Sequence, residues 1–302
     1  MISIVIPAYN EGKTLQHNIY EIINYVKQYD FEIVLVDDGS KDNTWDIITL
    51  LSKEYNNIRG LKFSRNFGKE AALLAGVTEA RGEAVITMDS DLQHPPKYIS
   101  EMISKWNEGY KVVECVRSKR PKESFIYKIC AGVFYKTLQK LTGVDMANGG
   151  DFKLMDRQVV NEVIRLKDTG LFFRGMVNFV GFKKAQIGFE PAQRKGDTTK
   201  FNFKSLTKLA LNAITSFSVL PLNIPVKLGV VTAILGLFLF VVSFFAKSVP
   251  VFANAYLLLA ALELFITTMI LFCLGIIGLY IGKIYEQTKE RPRYIIEEKC
   301  GN

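Results

Sequence analysis

The stretch Ala84-Val85-Ile86-Thr87-Met88-Asp89-Ser90-Asp91-Leu92-Gln93-His94-Pro95-Pro96 decides the fold. Its first five residues are apolar or β-branched and read as a buried strand. Asp89, Asp91 and Gln93 follow at alternate positions. In an extended chain alternate side chains share a face, so this spacing aims two carboxylates and an amide at one spot beyond the strand's end. Hard oxygen ligands of this kind suit Mg²⁺ or Mn²⁺, whose shell is completed by water and substrate phosphates. A polar turn is the plain alternative, because Asp-x-Asp pairs are common in loops, and the rest of the chain has to decide between the two.

Working toward the N-terminus, the pattern alternates strand and helix. Ile2 to Pro7 is a short apolar strand, and Gly12 to Gln28 carries Leu15, Ile19, Ile22, Ile23 and Val26 at helical spacing. Phe31 to Asp37 is a second strand and Asn43 to Tyr55 a second helix. Ile58 to Phe63, Lys69 to Arg81 and Glu83 to Asp89 continue the series. Short apolar strands alternating with helices predict an α/β fold with a mostly parallel sheet covered on both faces. Polar residues gather where the strands end: Tyr9, Asn10 and Glu11; Asp37 and Asp38; Ser64 and Arg65; Asp89 and Asp91. Ligands of open α/β sheets bind outside those ends, so four strand ends are expected to build one crevice. Neither G-x-G-x-x-G nor G-x-x-x-x-G-K-[ST] is present, which disfavours a dinucleotide fold and a P-loop NTPase.

The 302 residues carry a net charge of +8, which points to an anionic partner: a phosphate substrate, a membrane surface or nucleic acid. There is no RNA-binding signature or zinc-finger spacing, so nucleic acid is the weakest of the three. Cys115, Cys130, Cys273 and Cys300 form no C-x-x-C pair and read as reduced. The N-terminus lacks the basic segment of a signal peptide.

The C-terminal third is built for lipid. Leu228 to Ala246 is uncharged and long enough to cross a hydrocarbon core, and a second stretch from about Tyr256 to Gly282 carries only Glu263. Lys247 to Asn254 leaves room for a short turn. Two spans and a turn predict a hairpin with both ends on one side, and the excess of Lys and Arg outside the turn places those ends in the cytoplasm. Ser124 to Leu141 and Lys204 to Leu220 are amphipathic and Lys-rich, and are expected to lie in the membrane interface.

Taken in order, Ile6 to Glu11, Val36 to Ser40, Ser64 to Lys69, Met88 to Pro96, Gly150 to Lys153, Arg194 to Lys200 and Tyr280 to Tyr285 resemble family 2 glycosyltransferases of the GT-A fold. Within these the chain resembles the bacterial polyprenyl-phosphate glycosyltransferases related to dolichol-phosphate mannose synthase. The resemblance implies that Pro7, Tyr9, Glu11 and Asp38 line a nucleoside pocket. It implies that Asp89, Asp91 and Gln93 hold Mg²⁺ or Mn²⁺ and the donor diphosphate, with Asp151 near the acceptor as a catalytic carboxylate beside Asp91. Arg117 is placed by a substrate phosphate, with Lys119, Arg120 and Lys195 as further lipid-phosphate contacts. Arg194 and Lys200 match a loop that closes over the phosphates.

The implied activity is inverting transfer of one sugar, glucose or N-acetylglucosamine, from a UDP-sugar to undecaprenyl or another polyprenyl phosphate at the cytoplasmic membrane. The nearest alternative is a GDP-mannose-dependent mannosyltransferase. A non-catalytic scaffold is disfavoured by the intact Asp89, Asp91, Gln93 and Asp151. A processive polysaccharide synthase is disfavoured because neither Trp follows an Arg, as a Q-x-x-R-W motif requires. The expected organisation is a catalytic domain over 1–203, a juxtamembrane helix over 204–226, two spans within 227–282 (about 228–247 and 256–282) and a tail over 283–302. Homo-oligomerisation is left open.

Overall fold

The computed structural model describes residues 1–117, 150–166, 173–189, 225, 227–231, 234, 252–289 and 291–301. The chain forms two compact units: Met1–Asn202 together with Arg291–Asn302, and Phe203–Glu290.

In the first unit the expected alternation is present: β1 (Ile2–Ala8), α1 (Leu15–Val26), β2 (Phe31–Asp37), α2 (Thr44–Glu54), β3 (Ile58–Phe63), α3 (Lys69–Glu79) and β4 (Ala84–Thr87). A 3₁₀ turn and α4 (Ile99–Asn107) lead to β5 (Val112–Arg117). Then come β6 (Lys153–Asp156), α5 (Arg157–Arg165), α6 (Phe173–Phe179) and β7 (Lys184–Phe189). Each early helix follows from its apolar spacing. On α1, Leu15, Ile19, Ile22 and Val26 form one buried stripe, and each such side chain contributes about 1.5–3 kcal/mol on burial.

Among the described residues eight strands, the last being β8 (Ile296–Cys300), form one sheet in the order β7-β5-β6-β4-β1-β2-β3-β8. β1 pairs in parallel with both β2 and β4, and β2 with β3. β6 runs antiparallel between β4 and β5, and β5 pairs in parallel with β7. The mostly parallel α/β sheet is therefore as expected. Its strands are buried on both faces: Ile4, Ile6, Ile33 and Leu35 pack with α1 on one side, while Val5, Val34 and Val36 pack with α3 on the other. That two-sided burial is why the strands read as nearly continuous apolar runs.

The last strand, β8 (Ile296–Cys300), lies in the segment expected to be a simple tail. It pairs antiparallel with β3, matching Gly60 to Cys300 and Lys62 to Glu298. Tyr294 stacks on Phe63 with centroids 5.2 Å apart, and Glu298 accepts from Lys62 Nζ at 2.6 Å and Trp45 Nε1 at 3.0 Å. A Cβ on Gly60 would stand 2.6 Å from Cys300 Sγ and 2.4 Å from Ile48 Cγ2, so glycine is what lets the tail dock.

In the second unit, α7 (Phe252–Thr288) is a continuous helix of 37 residues. It begins before the expected Tyr256 and continues past Gly282. Its stretch Phe265–Gly282 has a mean hydropathy of 2.2 and is long and apolar enough to cross a membrane. Phe265, Ile270, Leu271 and Phe272 are exposed on it. Of the other expected span, only 228–231 and 234 are described, and they are helical. The two proposed interface helices, 124–141 and 204–220, lie outside the described residues.

Candidate active site

Strand order reverses between β1 and β4, because the chain builds outward from β1 to β3 on one side and then returns to place β4 on the other. A crevice opens at the carboxyl ends of strands flanking such a switch point. The cleft found there has a volume of ≈ 300 Å³ and is lined by Pro7, Ala8, Tyr9, Glu11, Asp38, Asn66, Gly68, Lys69, Asp89, Ser90 and Asp91. Pro7, Tyr9 and Glu11 from the end of β1, Asp38 after β2 and Asp89 and Asp91 after β4 thus line one cleft, with Asn66, Gly68 and Lys69 after β3.

The loops are tied to one another. Asn10, with φ 55°, donates its N–H to Ser40 Oγ at 2.9 Å and accepts Lys41 N–H on Oδ1 at 2.9 Å. Glu11 N–H donates to Thr44 Oγ1 at 2.9 Å, and Glu11 Oε2 accepts from Thr14 Oγ1 at 3.0 Å. Asp38 is buried and accepts Phe67 N–H at 2.7 Å and Gly68 N–H at 2.9 Å. Burial raises its pKa, and these two N–H groups only partly offset that. Gly39 has φ 67°, and a Cβ there would stand 2.4 Å from the Arg65 carbonyl carbon. A residue with a side chain at position 39 would therefore push the β2 and β3 loops apart.

The run after β4 departs from the expectation. The strand ends at Thr87, and residues 88–95 turn, with Leu92 at φ 55°. Asp89, Asp91 and Gln93 therefore do not share a face by strand alternation; the turn brings Asp89 and Asp91 to the cleft. Gln93 donates its side-chain amide to Asp91 Oδ2 at 2.7 Å and its backbone N–H to Asp91 Oδ1 at 3.1 Å, bracing that carboxylate. The Asx geometry explains the difference, since Asp side chains commonly bond their own backbone two residues on.

Because β6 is antiparallel to β4, its start lies at β4's carboxyl end, which carries Asp151 to the crevice. Thr87 Oγ1 donates to the Asp151 carbonyl at 2.5 Å. Lys69 Nζ lies 2.5 Å from Asp89 Oδ1 and 2.8 Å from Asp151 Oδ2, and Arg174 Nη2 lies 3.0 Å from Asp151 Oδ1. Burial alone would raise the Asp151 pKa; Lys69 and Arg174 outweigh it and hold the carboxyl well below the usual range. A carboxylate held so low is a poor proton acceptor near neutrality. It is paired instead with two cations, one on each oxygen.

His94 is buried, stacked on Phe152 at 5.2 Å, and accepts Asp89 N–H on Nδ1 at 3.4 Å. Burial lowers its pKa, with Asp89 opposing that shift, so the ring is a neutral wall behind Asp89. Lys69, Arg174 and His94 received no role from the sequence. Lys69 closes the Ser64–Lys69 stretch and His94 lies within the Met88–Pro96 stretch, so spacing could have flagged both, whereas Arg174 stands outside every motif.

Arg117 ends β5 opposite Phe189, and β5 runs in the direction of β4, so its backbone ends at the same edge of the sheet. Lys119, Arg120, Arg194, Lys195 and Lys200 lie outside the described residues. Among the described residues no group of three or more His, Cys, Asp and Glu is gathered as a metal cage. Asp89 and Asp91 on the wall of an open cleft nonetheless fit a hard divalent cation, which takes one or two carboxylates and completes its shell with water and phosphate.

Residues 3–164 match the family model described as glycosyl transferase family 2. An uncharacterized glycosyltransferase of Bacillus subtilis is 38% identical over 99% of this chain and 94% of its own length. A prophage bactoprenol glucosyl transferase homolog of Escherichia coli is 37% identical over 98% of each chain. The bactoprenol glucosyl transferase of Shigella phage SfV is 37% identical over 99% of this chain and 98% of its own. With the crevice at the switch point and the match running along nearly the whole sequence, the chain belongs to glycosyl transferase family 2 in its GT-A, mostly parallel α/β form.

Proposed function

We propose that this chain is an inverting glycosyltransferase that moves one glucosyl unit from UDP-glucose to polyprenyl phosphate at the cytoplasmic face of a membrane. The observation that carries this reading is the end-to-end similarity to bactoprenol glucosyl transferases, membrane unit included. The crevice supports it by its chemistry. Pro7, Tyr9, Glu11 and Asp38 form a wall for the nucleoside, and Asp89 and Asp91, the latter braced by Gln93, would hold Mg²⁺ or Mn²⁺. Such an ion, when bound, supplies Lewis-acid neutralisation of the leaving diphosphate.

The acceptor's phosphate oxygen attacks the anomeric carbon, the bond from that carbon to the donor phosphate breaks, and UDP leaves with the electron pair. The configuration inverts in this single displacement. A phosphate monoester is already ionised near neutrality, its second pKa being about 6, so no base has to remove a proton. This agrees with an Asp151 that holds Lys69 and Arg174 in place. Those two cations, with Arg117, Lys119, Arg120, Arg194, Lys195 and Lys200 from the flanking segments, supply positive charge for donor and lipid phosphates.

Membrane anchoring is supported by the apolar, exposed surface of α7. We further propose that a second span over about 228–247 pairs with it as a hairpin, and that the segments over 124–141 and 204–226 lie in the interface. Membranes from cells making the protein, incubated with polyprenyl phosphate and separately labelled UDP-glucose, UDP-N-acetylglucosamine and GDP-mannose, test the reading. Label is expected in a glucosyl lipid from UDP-glucose. Lipid labelled only from GDP-mannose would replace this assignment with the mannosyl alternative, and no labelled lipid from any donor would remove it.

A further inference from the structure

We propose that Lys69 is an internal counter-cation of the crevice: a divalent ion must displace its ammonium from Asp89, and Asp151 then keeps the displaced ammonium beside the donor phosphates. The proposal rests on the reading of Asp89 and Asp91 as the metal carboxylates.

Lys69 is the first residue of α3, and its backbone is set from below. Asp38 holds the N–H groups of Phe67 and Gly68, and Gly68 adopts φ 99°. The side chain then reaches across the cleft to two carboxylates at once, Asp89 Oδ1 at 2.5 Å and Asp151 Oδ2 at 2.8 Å. A cation arriving at Asp89 meets a positive charge already bonded to the same carboxylate, and like charges at such separations repel strongly. Among the described residues no other Lys or Arg pairs with Asp89; His94 Nδ1 stands 3.7 Å from its Oδ2. His94 offers Asp89 a lone pair on Nδ1, and Gln93 is turned to Asp91. Arg174 reaches only the far oxygen of Asp151.

The lysine also has freedom to move. Its side chain is 41% exposed, and four flexible carbons carry a compact charge. Asp151 is bonded on its other oxygen to Arg174, so it stays in place when the ammonium swings off Asp89. The exchange keeps Asp89 and Asp151 oriented at some cost in metal affinity. It also leaves a cation next to the diphosphate as that group gains charge.

The test is Mn²⁺ binding to the full chain in detergent, without nucleotide, read from the electron spin resonance of free Mn²⁺. Lys69→Met and Lys69→Gln are expected to bind Mn²⁺ more tightly than the wild type, on the order of tenfold, while glucosyl transfer falls. A residue that merely supported the fold would weaken binding, the opposite sign. Lys69→Arg, which keeps the charge, is expected to stay near wild-type affinity, and Asp89→Asn to weaken binding. Equal or weaker Mn²⁺ binding in both neutral variants, with wild-type binding intact, overturns the counter-cation role and leaves the metal reading standing. Absence of Mn²⁺ binding in every form, the wild type included, overturns both.

Discussion

Asp151 shows most clearly what single residues add to the motif. Its position in Gly150-Asp-Phe-Lys153 was legible as important, but its partners were not, because Lys69 is 82 residues away and Arg174 is 23. Only the antiparallel insertion of β6 brings the three together. Asp89, Asp91, Tyr9 and Glu11 were legible because each directly follows a strand whose apolar run marks its end. The shared face of Asp89, Asp91 and Gln93 was misjudged because strand geometry was extended past Thr87 into a turn. The ion pairs of Asp151 have a measurable consequence. Its folded pKa is depressed, so it contributes stability above its unfolded pKa, and that stability is lost as pH falls through the lower folded value. Asp151→Asn is expected to cost about 1–3 kcal/mol at neutral pH by leaving two partly buried cations short of a partner. Melting curves of the two proteins should stay equally far apart from pH 8 down to about 5 and converge only below about 4. A gap that closes nearer neutrality would mean that Asp151 is not held ionised by Lys69 and Arg174.

Among the elements, β8 is one that sequence periodicity could not supply. Ile296-Glu-Glu-Lys-Cys300 has neither alternation nor an apolar run, because an edge strand of this kind faces solvent along much of its length. β6 escaped notice for a different reason. Lys153 opens it, fully buried against Glu114 at 3.3 Å, a charge in a position where an aliphatic residue marks the other strands. β8 protects the sheet, since without it β3 would present an unpaired edge. Tyr294 anchors its approach on Phe63, and Arg293 Nη2 donates to the Leu166 carbonyl at 3.2 Å. Tyr294→Ala is expected to lose about 0.5–1.5 kcal/mol from the stacked pair in addition to its buried area. Removing 291–302 altogether should lower the melting temperature of the protein further and make β3 a target for limited proteolysis. A truncated protein that melts and resists protease like the full chain would show that the strand adds nothing to the sheet.

At the scale of the whole molecule, the placement of β8 bears on topology in a way hydropathy cannot. Residues up to Asn202 and residues from Arg291 onward belong to one folded unit and one sheet. A chain that leaves a sheet, enters a bilayer and returns to the same sheet has to cross an even number of times. Among the described residues one helix, α7, has a stretch apolar enough to cross, Phe265–Gly282. The proposed partner crossing is the uncharged run Leu228 to Ala246, which is long enough at about 1.5 Å per residue. Charge motivates the proposed orientation, since Lys and Arg are concentrated outside Lys247 to Asn254 and such residues favour the cytoplasmic side. We expect Ser248 to face outward and both chain ends to face the cytoplasm. In a chain whose native cysteines are replaced by serine, Ser248→Cys in intact cells should react with a membrane-impermeant thiol reagent. Asn302→Cys should react only after the membrane is opened. The reverse pattern would invert the orientation while preserving even parity, whereas labelling of one chain end but not the other would break the parity. That last result would mean that the tail strand does not share a sheet with β3 in the membrane-bound protein.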